Sequence, residues 1–255
     1  MSKLIASIVA VALGAGVSAS GSLIAYEGFN MTAGDVFGQA GATSSGWNGN
    51  WAGQDGVTAS PSAGKTYGTL PTVAGGSTIT TAATGTGAYR LLSAPVNSGT
   101  IWVSFLGQVA EPSTSGFAGV ELYSGATERF LFGEDWVGVT WGVNKGGQLA
   151  ESLVPSSTQA FCVVQLNITT NGGAGTLYVN PTLGAAAPTG GTTKNFNYAG
   201  DGTFDRVAVR GGLVSSYDEI RLGTTWADVS LIPEPASLGM AAIGGLTLLL
   251  RRRRA

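Results

Sequence analysis

Residues 161–180 read FCVVQLNITTNGGAGTLYVN. In the first half of this stretch an apolar residue stands at every second position, which is the period that a β-strand gives to its buried face. The residues of that face are Cys162, Val164, Leu166 and Ile168. Residues 171–173, Asn-Gly-Gly, separate this run from a second one at 176–180, and Asn and Gly tolerate the positive φ of a tight turn. The stretch therefore predicts an antiparallel β-hairpin with these four side chains in the core.

Similar short runs recur along the chain, bounded by Gly, Pro, Asn and Ser. The further predicted strands are 101–108, 116–123, 129–133, 137–143, 204–210 and 217–223. No helical period of ten residues or more occurs between Ser20 and Ile232. These features predict an all-β, antiparallel jelly-roll sandwich. We expect long loops with short edge strands in the Gly-, Ser- and Thr-rich segment 41–88.

The run 137–143 alternates apolar residues with Gly and Thr, as a half-buried antiparallel strand requires. Its apolar face consists of Val137, Val139, Trp141 and Val143. We expect these four side chains to face the interior.

The N-terminus has the features of a secretory signal peptide. Lys3 supplies a positive charge, residues 4–17 are small or apolar, and small residues occupy the −3 and −1 positions of a cleavage site after Ala19. We predict that residues 1–19 are a signal helix that is cut off between Ala19 and Ser20. A retained N-terminal anchor is the alternative.

The C-terminus has an apolar run, 236–250, between two motifs. The motifs are Pro233, Glu234 and Pro235 before it and Arg251, Arg252, Arg253 and Arg254 after it. At 1.5 Å per residue this run spans roughly 22 Å as a helix, short of the ~30 Å hydrocarbon core, although arginine stems can cover part of the difference. Four arginines favour the cytoplasmic side, which places the preceding domain across the membrane.

This order of a Pro-Glu-Pro motif, an apolar helix and a basic cluster resembles the PEP-CTERM sorting signal of exported bacterial proteins. The resemblance implies that residues 233–255 contain a single transmembrane helix in the precursor. It also implies delivery by the secretion machinery and recognition by an exosortase, a membrane transpeptidase. The exported domain would be membrane-anchored at first, and would lie at the cell surface or outside the cell after processing. An ordinary tail anchor is the alternative.

The composition excludes several classes of function. Residues 20–232 carry 14 acidic and 8 basic side chains, which argues against nucleic acid or another polyanion as a partner. The chain contains no histidine, so Ser-His-Asp catalysis, Cys-His catalysis and His-containing metal sites are excluded. Cys162 is the single cysteine and cannot form an intrachain disulfide.

Five aromatic- and Gly-rich segments occur in an order that resembles that of a known family. They are 26–29, 46–51, 101–105, 177–181 and 217–226. The arrangement resembles the concanavalin A-like (laminin-G-like) jelly-roll proteins that often carry a PEP-CTERM tail. The resemblance covers most of residues 23–229, and implies two stacked antiparallel sheets with the chain ends close together in one domain, 20–232.

Glycosidases of this fold use carboxylates at i and i+4 of one strand with an Asp at i+2, because alternation then puts all three on one face. No Asp or Glu of this chain is followed two positions later by another, so we expect a non-enzymatic protein with no catalytic residues. Asp201 and Asp205 flank a predicted turn at i and i+4, and would bind Ca²⁺ only together with backbone oxygens and further carboxylates. The alternative for these two residues is an ordinary turn and surface role, with no cofactor and no metal.

Two tryptophans in a Gly- and Asn-rich segment are candidates for sugar binding. Trp47 and Trp51 alternate with the amides Asn48 and Asn50, and an exposed ring beside amides suits stacking on a sugar and hydrogen bonding to its hydroxyls. Asp55 is close enough in sequence to join them. The alternative is that both tryptophans close one end of the sandwich from a loop.

The other four tryptophans divide into three expected core residues and one candidate for sugar binding. Trp102, Trp141 and Trp226 lie in or beside strand patterns, where core packing is the default. Trp136 follows two acidic residues and is a second candidate for sugar stacking.

These observations predict an exported protein of the cell surface or of an exopolysaccharide matrix, with a structural or adhesive β-sandwich. A carbohydrate-binding module, with an extracellular polysaccharide as partner, is the alternative, and a glycoside hydrolase is a remote one.

Overall fold

The computed structural model describes residues 21–41, 46–53, 57–60, 64–72, 78–81 and 86–230. The predicted signal peptide, the predicted sorting signal and Asp55 lie outside these ranges. The described residues form sixteen strands and one short helix. No helix among them is long and apolar enough to span a bilayer.

The elements in chain order are β1 (Leu23–Glu27), β2 (Gly34–Asp35), β3 (Trp47–Gly53), β4 (Val57–Ser60), β5 (Thr78–Thr81), β6 (Thr86–Val96), β7 (Gly99–Val109), β8 (Ala118–Ser124), β9 (Thr127–Glu134), β10 (Thr140–Asn144), β11 (Gln148–Pro155), β12 (Ala160–Ile168), β13 (Gly173–Val179), β14 (Thr192–Tyr198), β15 (Phe204–Gly211), β16 (Ser215–Gly223) and α1 (Trp226–Ser230).

The strands form two antiparallel sheets that pack face to face. The nine-stranded sheet has the order β14-β13-β12-β7-β16-β5-β4-β2, and β1 pairs with β16 beside β5. The seven-stranded sheet has the order β11-β10-β9-β8-β15-β6-β3. The predicted all-β antiparallel sandwich is therefore confirmed.

The hairpin at 161–180 is present as predicted. Strands β12 and β13 are antiparallel, with Cys162 opposite Val179 and Leu166 opposite Gly175. All four side chains of the predicted buried face, Cys162, Val164, Leu166 and Ile168, lie in the core. Burial raises the pKa of the Cys162 thiol well above its ordinary value, so this cysteine is an inert core residue.

The prediction for 137–143 is wrong in its first half. Trp141 and Val143 are buried as expected, but Val137 is 61% exposed and Val139 is 42% exposed. Strand β10 begins only at Thr140, because Oδ1 of Asp135 accepts hydrogen bonds from the backbone N–H of Val137 and of Gly138. This local turn closes the β9–β10 loop and carries both valines outward.

The two ends of the described domain lie side by side. Strand β1 pairs with the last part of β16, with Leu23 opposite Gly223, and the backbone N–H of Ser22 donates to Oγ1 of Thr224 at 2.9 Å. The expected short edge strands of 41–88 are also present, since β4 lies next to the edge of one sheet and β3 forms the edge of the other. Strand β6, which begins in this segment, is an interior strand that the sequence did not reveal.

A second apolar cluster covers part of the outer face of the nine-stranded sheet. It consists of Leu70, Trp102, Leu106, Phe161, Val163, Trp226 and Val229. Helix α1 supplies Trp226, whose ring centroid lies 6.0 Å from that of Trp102. The remaining part of this outer face, over β12, β13 and β14, carries polar side chains.

Candidate functional site

Trp51 does not lie in a surface loop. It belongs to β3, its side chain is only 1% exposed, and its ring centroid lies 5.7 Å from that of Phe29. Its indole N–H donates to Oε2 of Glu27 at 3.2 Å. The expectation that Trp51 stacks on a sugar is therefore wrong in this structure, because both faces of its ring are buried.

Trp47 is half-buried and tied to the same region. Its indole N–H donates to the carbonyl oxygen of Tyr26 at 2.7 Å, and the guanidinium of Arg90 lies 5.3 Å from the ring centroid. Arg90 also forms a buried ion pair with Glu27 at 2.5 Å. Trp47 is thus partly buried and packs against the core of the sandwich, which favours the alternative considered above for this residue.

The amides of this segment remain at the surface. Asn48 and Asn50 are both exposed, and the side-chain N–H of Asn50 donates to the carbonyl oxygen of Gly38 at 2.7 Å. The structure therefore does not bring Trp47, Asn48, Asn50 and Trp51 together as one sugar-binding surface.

Trp136 is the tryptophan that the structure presents to solvent. It is 49% exposed, in the β9–β10 loop that Asp135 holds. Its ring centroid lies 4.5 Å from that of Phe117, with 37° between the planes. The other carboxylate oxygen of Asp135 accepts a hydrogen bond from the Asn144 side chain at 3.0 Å, so the residue before the indole is tied to β10.

Arg210 lies next to Phe117, on the side away from β9, and also contacts Tyr123. The guanidinium of Arg210 lies 5.5 Å from the ring centroid of Phe117 and 5.7 Å from that of Tyr123. Its Nη1 also lies 3.0 Å from Oε2 of Glu121 and 3.7 Å from Oε2 of Glu128. Because Val120 and Leu122 of β8 point into the core, alternation places their neighbours in that strand on the outer face.

The same outer face carries a second aromatic–arginine pair. The guanidinium of Arg206 lies 4.9 Å from the ring centroid of Tyr89, and its Nε lies 2.8 Å from Asp205. A groove of about 460 Å³ runs between the two pairs, and its lining includes Tyr89, Tyr123, Arg206 and Arg210. We call the six side chains of this surface the outer aromatic face: Trp136, Phe117, Arg210, Tyr123, Arg206 and Tyr89.

Glycine shapes one wall of the groove. A Cβ at Gly87 would collide with the stem of Arg210, which lies directly opposite in the neighbouring strand. A larger residue at position 87 would therefore displace the guanidinium from Phe117 and Tyr123.

The carboxyl of Glu121 has an unusual environment. Burial raises its pKa to about 7, with Arg210 acting in the opposite direction and Glu128 adding to the rise. Its Oε1 has no hydrogen-bond partner among the described residues. Burial also raises the pKa of the neighbouring Tyr123 phenol, whose hydroxyl accepts a hydrogen bond from Nη1 of Arg210 and donates one to Glu128 at 3.4 Å.

The adjacent acidic pair at 218–219 is buried and internally paired. Asp218 accepts a hydrogen bond from the backbone N–H of Lys65 at 2.7 Å. Glu219 accepts one from the Tyr26 hydroxyl at 2.9 Å and contacts Arg221 at 2.5 Å. Both carboxylates therefore stabilise the fold.

The two residues considered for calcium contact different arginines. Asp201 forms an ion pair with Arg129 at 2.7 Å, and Asp205 pairs with Arg206. In the part of the chain that the structure describes, no group of three or more acidic or cysteine side chains is placed to hold a metal ion.

The sequence contained a partial signal for the outer aromatic face. Phe117, Glu121 and Tyr123 occupy alternate positions in the predicted strand 116–123, so they could have been assigned to a shared face. Their meeting with Trp136 and Arg210 depends on pairing of β8 with β9 and β15, which local patterns do not show.

No protein-family model matches the chain, and no curated protein matches it. Solved structures do resemble it. The CBM2 module of the evolved Dit protein of Lactobacillus casei BL23 phage J-1 is 10% identical, with 80% of this chain and 96% of that one covered and a TM-score of 0.42. Domain 4 of an extracellular GH43 arabinanase from Geobacillus stearothermophilus, in complex with arabinotriose, is 13% identical, with 80% and 93% covered and a TM-score of 0.44. The Emp47p carbohydrate recognition domain is 10% identical, with 82% and 98% covered and a TM-score of 0.39. Likenesses with TM-scores this low assign no function to the chain.

Proposed function

We propose that the described sandwich is a non-enzymatic, carbohydrate-binding domain whose site is the outer aromatic face. One observation carries this proposal. Five of the six tryptophans are buried or half-buried, whereas Trp136 is 49% exposed and held in place by Phe117 and by the turn at Asp135. An indole kept in water in a fixed orientation costs hydrophobic stabilisation, and this cost is offset where a ligand covers the ring.

The neighbouring groups suit the hydroxyls of a sugar. The fixed indole stacks on the apolar face of a pyranose or furanose ring, while Arg210, whose guanidinium has five N–H groups, supplies hydrogen-bond donors at the side. Both arginines of the face are already paired with carboxylates, so its net charge is low. Recognition by ring contact and hydrogen bonds should therefore be insensitive to salt.

The test is a broad glycan array, followed by calorimetric titration of the best ligand into the wild type and two variants. Trp136→Ala removes the stacking surface and should weaken binding by about tenfold or more. Val137→Ala is the matched control, since Val137 is an exposed apolar residue of the same loop. Equal affinity of wild type and Trp136→Ala would refute the assignment of this face.

A structural or adhesive role is the second candidate, and the internal pairing of charges favours it. Every acidic or basic side chain near Arg210 and Arg206 already contacts a partner within the domain. A face of this kind is stable without a ligand. If no glycan on the array binds, while Trp136→Ala lowers the melting temperature, the structural role is supported.

The proposal also includes export and sorting. The segments that carry it are 1–19, a signal peptide, and 233–255, which resembles a PEP-CTERM signal. The domain between them would be a concanavalin A-like unit delivered by the secretion machinery and processed by an exosortase, and then located at the cell surface or in an extracellular matrix. The absence of paired carboxylates with glycosidase spacing supports a binding role rather than a hydrolytic one.

A further inference from the structure

The open part of the other outer face is built from uncharged hydrogen-bonding side chains. On the nine-stranded sheet, alternate positions of β7, β12, β13 and β14 carry Thr100, Gln165, Asn167, Thr176, Asn195 and Asn197, which we call the amide ladder. The register places Thr100 opposite Asn167, and Gln165 opposite Thr176. These six residues line a shallow cavity of about 320 Å³.

Within the amide ladder the Thr176 hydroxyl donates a hydrogen bond to Oδ1 of Asn195 across two strands at 3.0 Å, but the needs of the sheet do not explain the other amides. Asn is depleted in β-strands, where β-branched and aromatic residues are favoured. Here Asn167, Asn195 and Asn197 are all exposed and lie within regular strands. Their inward-facing neighbours are apolar core residues such as Leu166 and Phe196, so the choice of Asn is confined to the solvent side.

The chemistry of the amide ladder fits the hydroxyl groups of a neutral sugar chain. Each amide offers two donors and one acceptor oxygen, and none of the described residues that line the cavity is charged. Neighbouring strands are 4.7–4.9 Å apart, a spacing similar to the length of one sugar unit in an extended polysaccharide. Beside the amide ladder, the half-buried Tyr178 stacks against Trp102, with 6.0 Å between the ring centroids. Its ring offers an aromatic edge to a polysaccharide chain that crosses the strands.

We propose that the amide ladder is a second carbohydrate-binding surface, which takes an uncharged polysaccharide. It rests on different residues from the outer aromatic face and lies on the opposite side of the sandwich. Binding at the amide ladder does not require the site at Trp136. If both sites bind, one domain holds two polysaccharide chains and can link them, which raises its avidity for a polysaccharide matrix.

The test uses affinity electrophoresis of the full-length protein in gels that contain a soluble β-glucan, xylan or galactomannan, with alginate as the charged comparison. The background is Trp136→Ala, which removes the first site. The variant Asn167→Asp with Asn197→Asp keeps the side-chain shapes but removes two NH2 groups, and so four N–H donors, and adds two negative charges. Asn30→Asp makes the same change at an exposed loop residue outside the amide ladder.

In this background we expect retardation by at least one of the three neutral polysaccharides and none by alginate. The double variant should bind about tenfold more weakly, while Asn30→Asp should bind like the background protein. Equal retardation of the double variant, or no retardation of the background protein by any neutral polysaccharide, would overturn the proposal. Gln165→Glu provides an independent variant if the double substitution lowers the melting temperature.

A second readout separates the two sites. The wild type should make a neutral polysaccharide solution turbid by linking polysaccharide chains. Trp136→Ala alone, and Asn167→Asp with Asn197→Asp in a protein that keeps Trp136, should each bind without turbidity. Loss of binding only in Trp136→Ala would leave the first site and exclude the amide ladder. Loss of binding only in the protein with Asn167→Asp and Asn197→Asp would leave the amide ladder as the binding surface and exclude the site at Trp136.

Discussion

Replacing Trp51 by Ala tests whether the Gly- and Asn-rich segment is part of the core or a sugar-binding surface. The indole is 1% exposed, contacts Phe29 and donates a hydrogen bond to the buried carboxylate of Glu27. Removing a buried Trp side chain costs about 3–5 kcal/mol. For a domain of this size each kcal/mol lowers the melting temperature by about 2–4 °C, so Trp51→Ala should lower it by roughly 6–20 °C.

The measurement is thermal unfolding followed by far-ultraviolet circular dichroism, with two comparison variants. Asn48→Ala changes an exposed neighbour in the same strand and should shift the melting temperature by less than about 2 °C. Trp51→Phe keeps an aromatic ring but loses the hydrogen bond to Glu27, and should give an intermediate decrease. A Trp51→Ala protein with an unchanged melting temperature and lost glycan binding would refute the core assignment.

Three further predictions concern stability and processing. The folded-state pKa of Glu121 is raised to about 7, so the contribution of this carboxyl to stability is complete below its ordinary pKa of 4.5 and is lost as the pH rises through 7. The free energy of unfolding, measured by urea titration, should therefore fall by up to about 3 kcal/mol between pH 4 and pH 8. Glu121→Gln should flatten this pH dependence. Val164→Asp places a charge in the core and should prevent folding, whereas Gln165→Asp in the same strand should keep the wild-type circular dichroism spectrum. Mass spectrometry of the protein from its native host should find a species that begins near Ser20 and lacks residues 251–254; an intact C-terminus would indicate a plain anchor.

The sequence predicted the sandwich because alternating burial is a local property. The hairpin at 161–180 has both the period of two and the turn residues, so its register follows from nearby residues alone. The same rule misplaced Val137 and Val139, since alternation cannot distinguish a strand from a loop that a side chain such as Asp135 holds outside the sheet.

The candidate site was harder to predict because distant residues decide which tryptophans are exposed. Trp51 is buried because its strand lies next to β6 and its indole meets Glu27, 24 positions earlier in the chain. Strand β6 does not follow from the sequence, because arginine is typical of surfaces and the burial of Arg90 depends on its ion pair with Glu27. Trp136 looked less promising in the sequence, although its pairing with Phe117 makes it the exposed ring.

Acrylamide quenching of tryptophan fluorescence tests the central claim most directly, because Trp136 is the most exposed of the six indoles. In the free wild type, acrylamide should quench a component that the Trp136→Phe variant lacks. A saturating concentration of the bound glycan should protect that component and leave the quenching of Trp136→Phe unchanged. If the glycan binds and the quenching of Trp136 stays the same, the sugar lies elsewhere and the outer aromatic face is not its site.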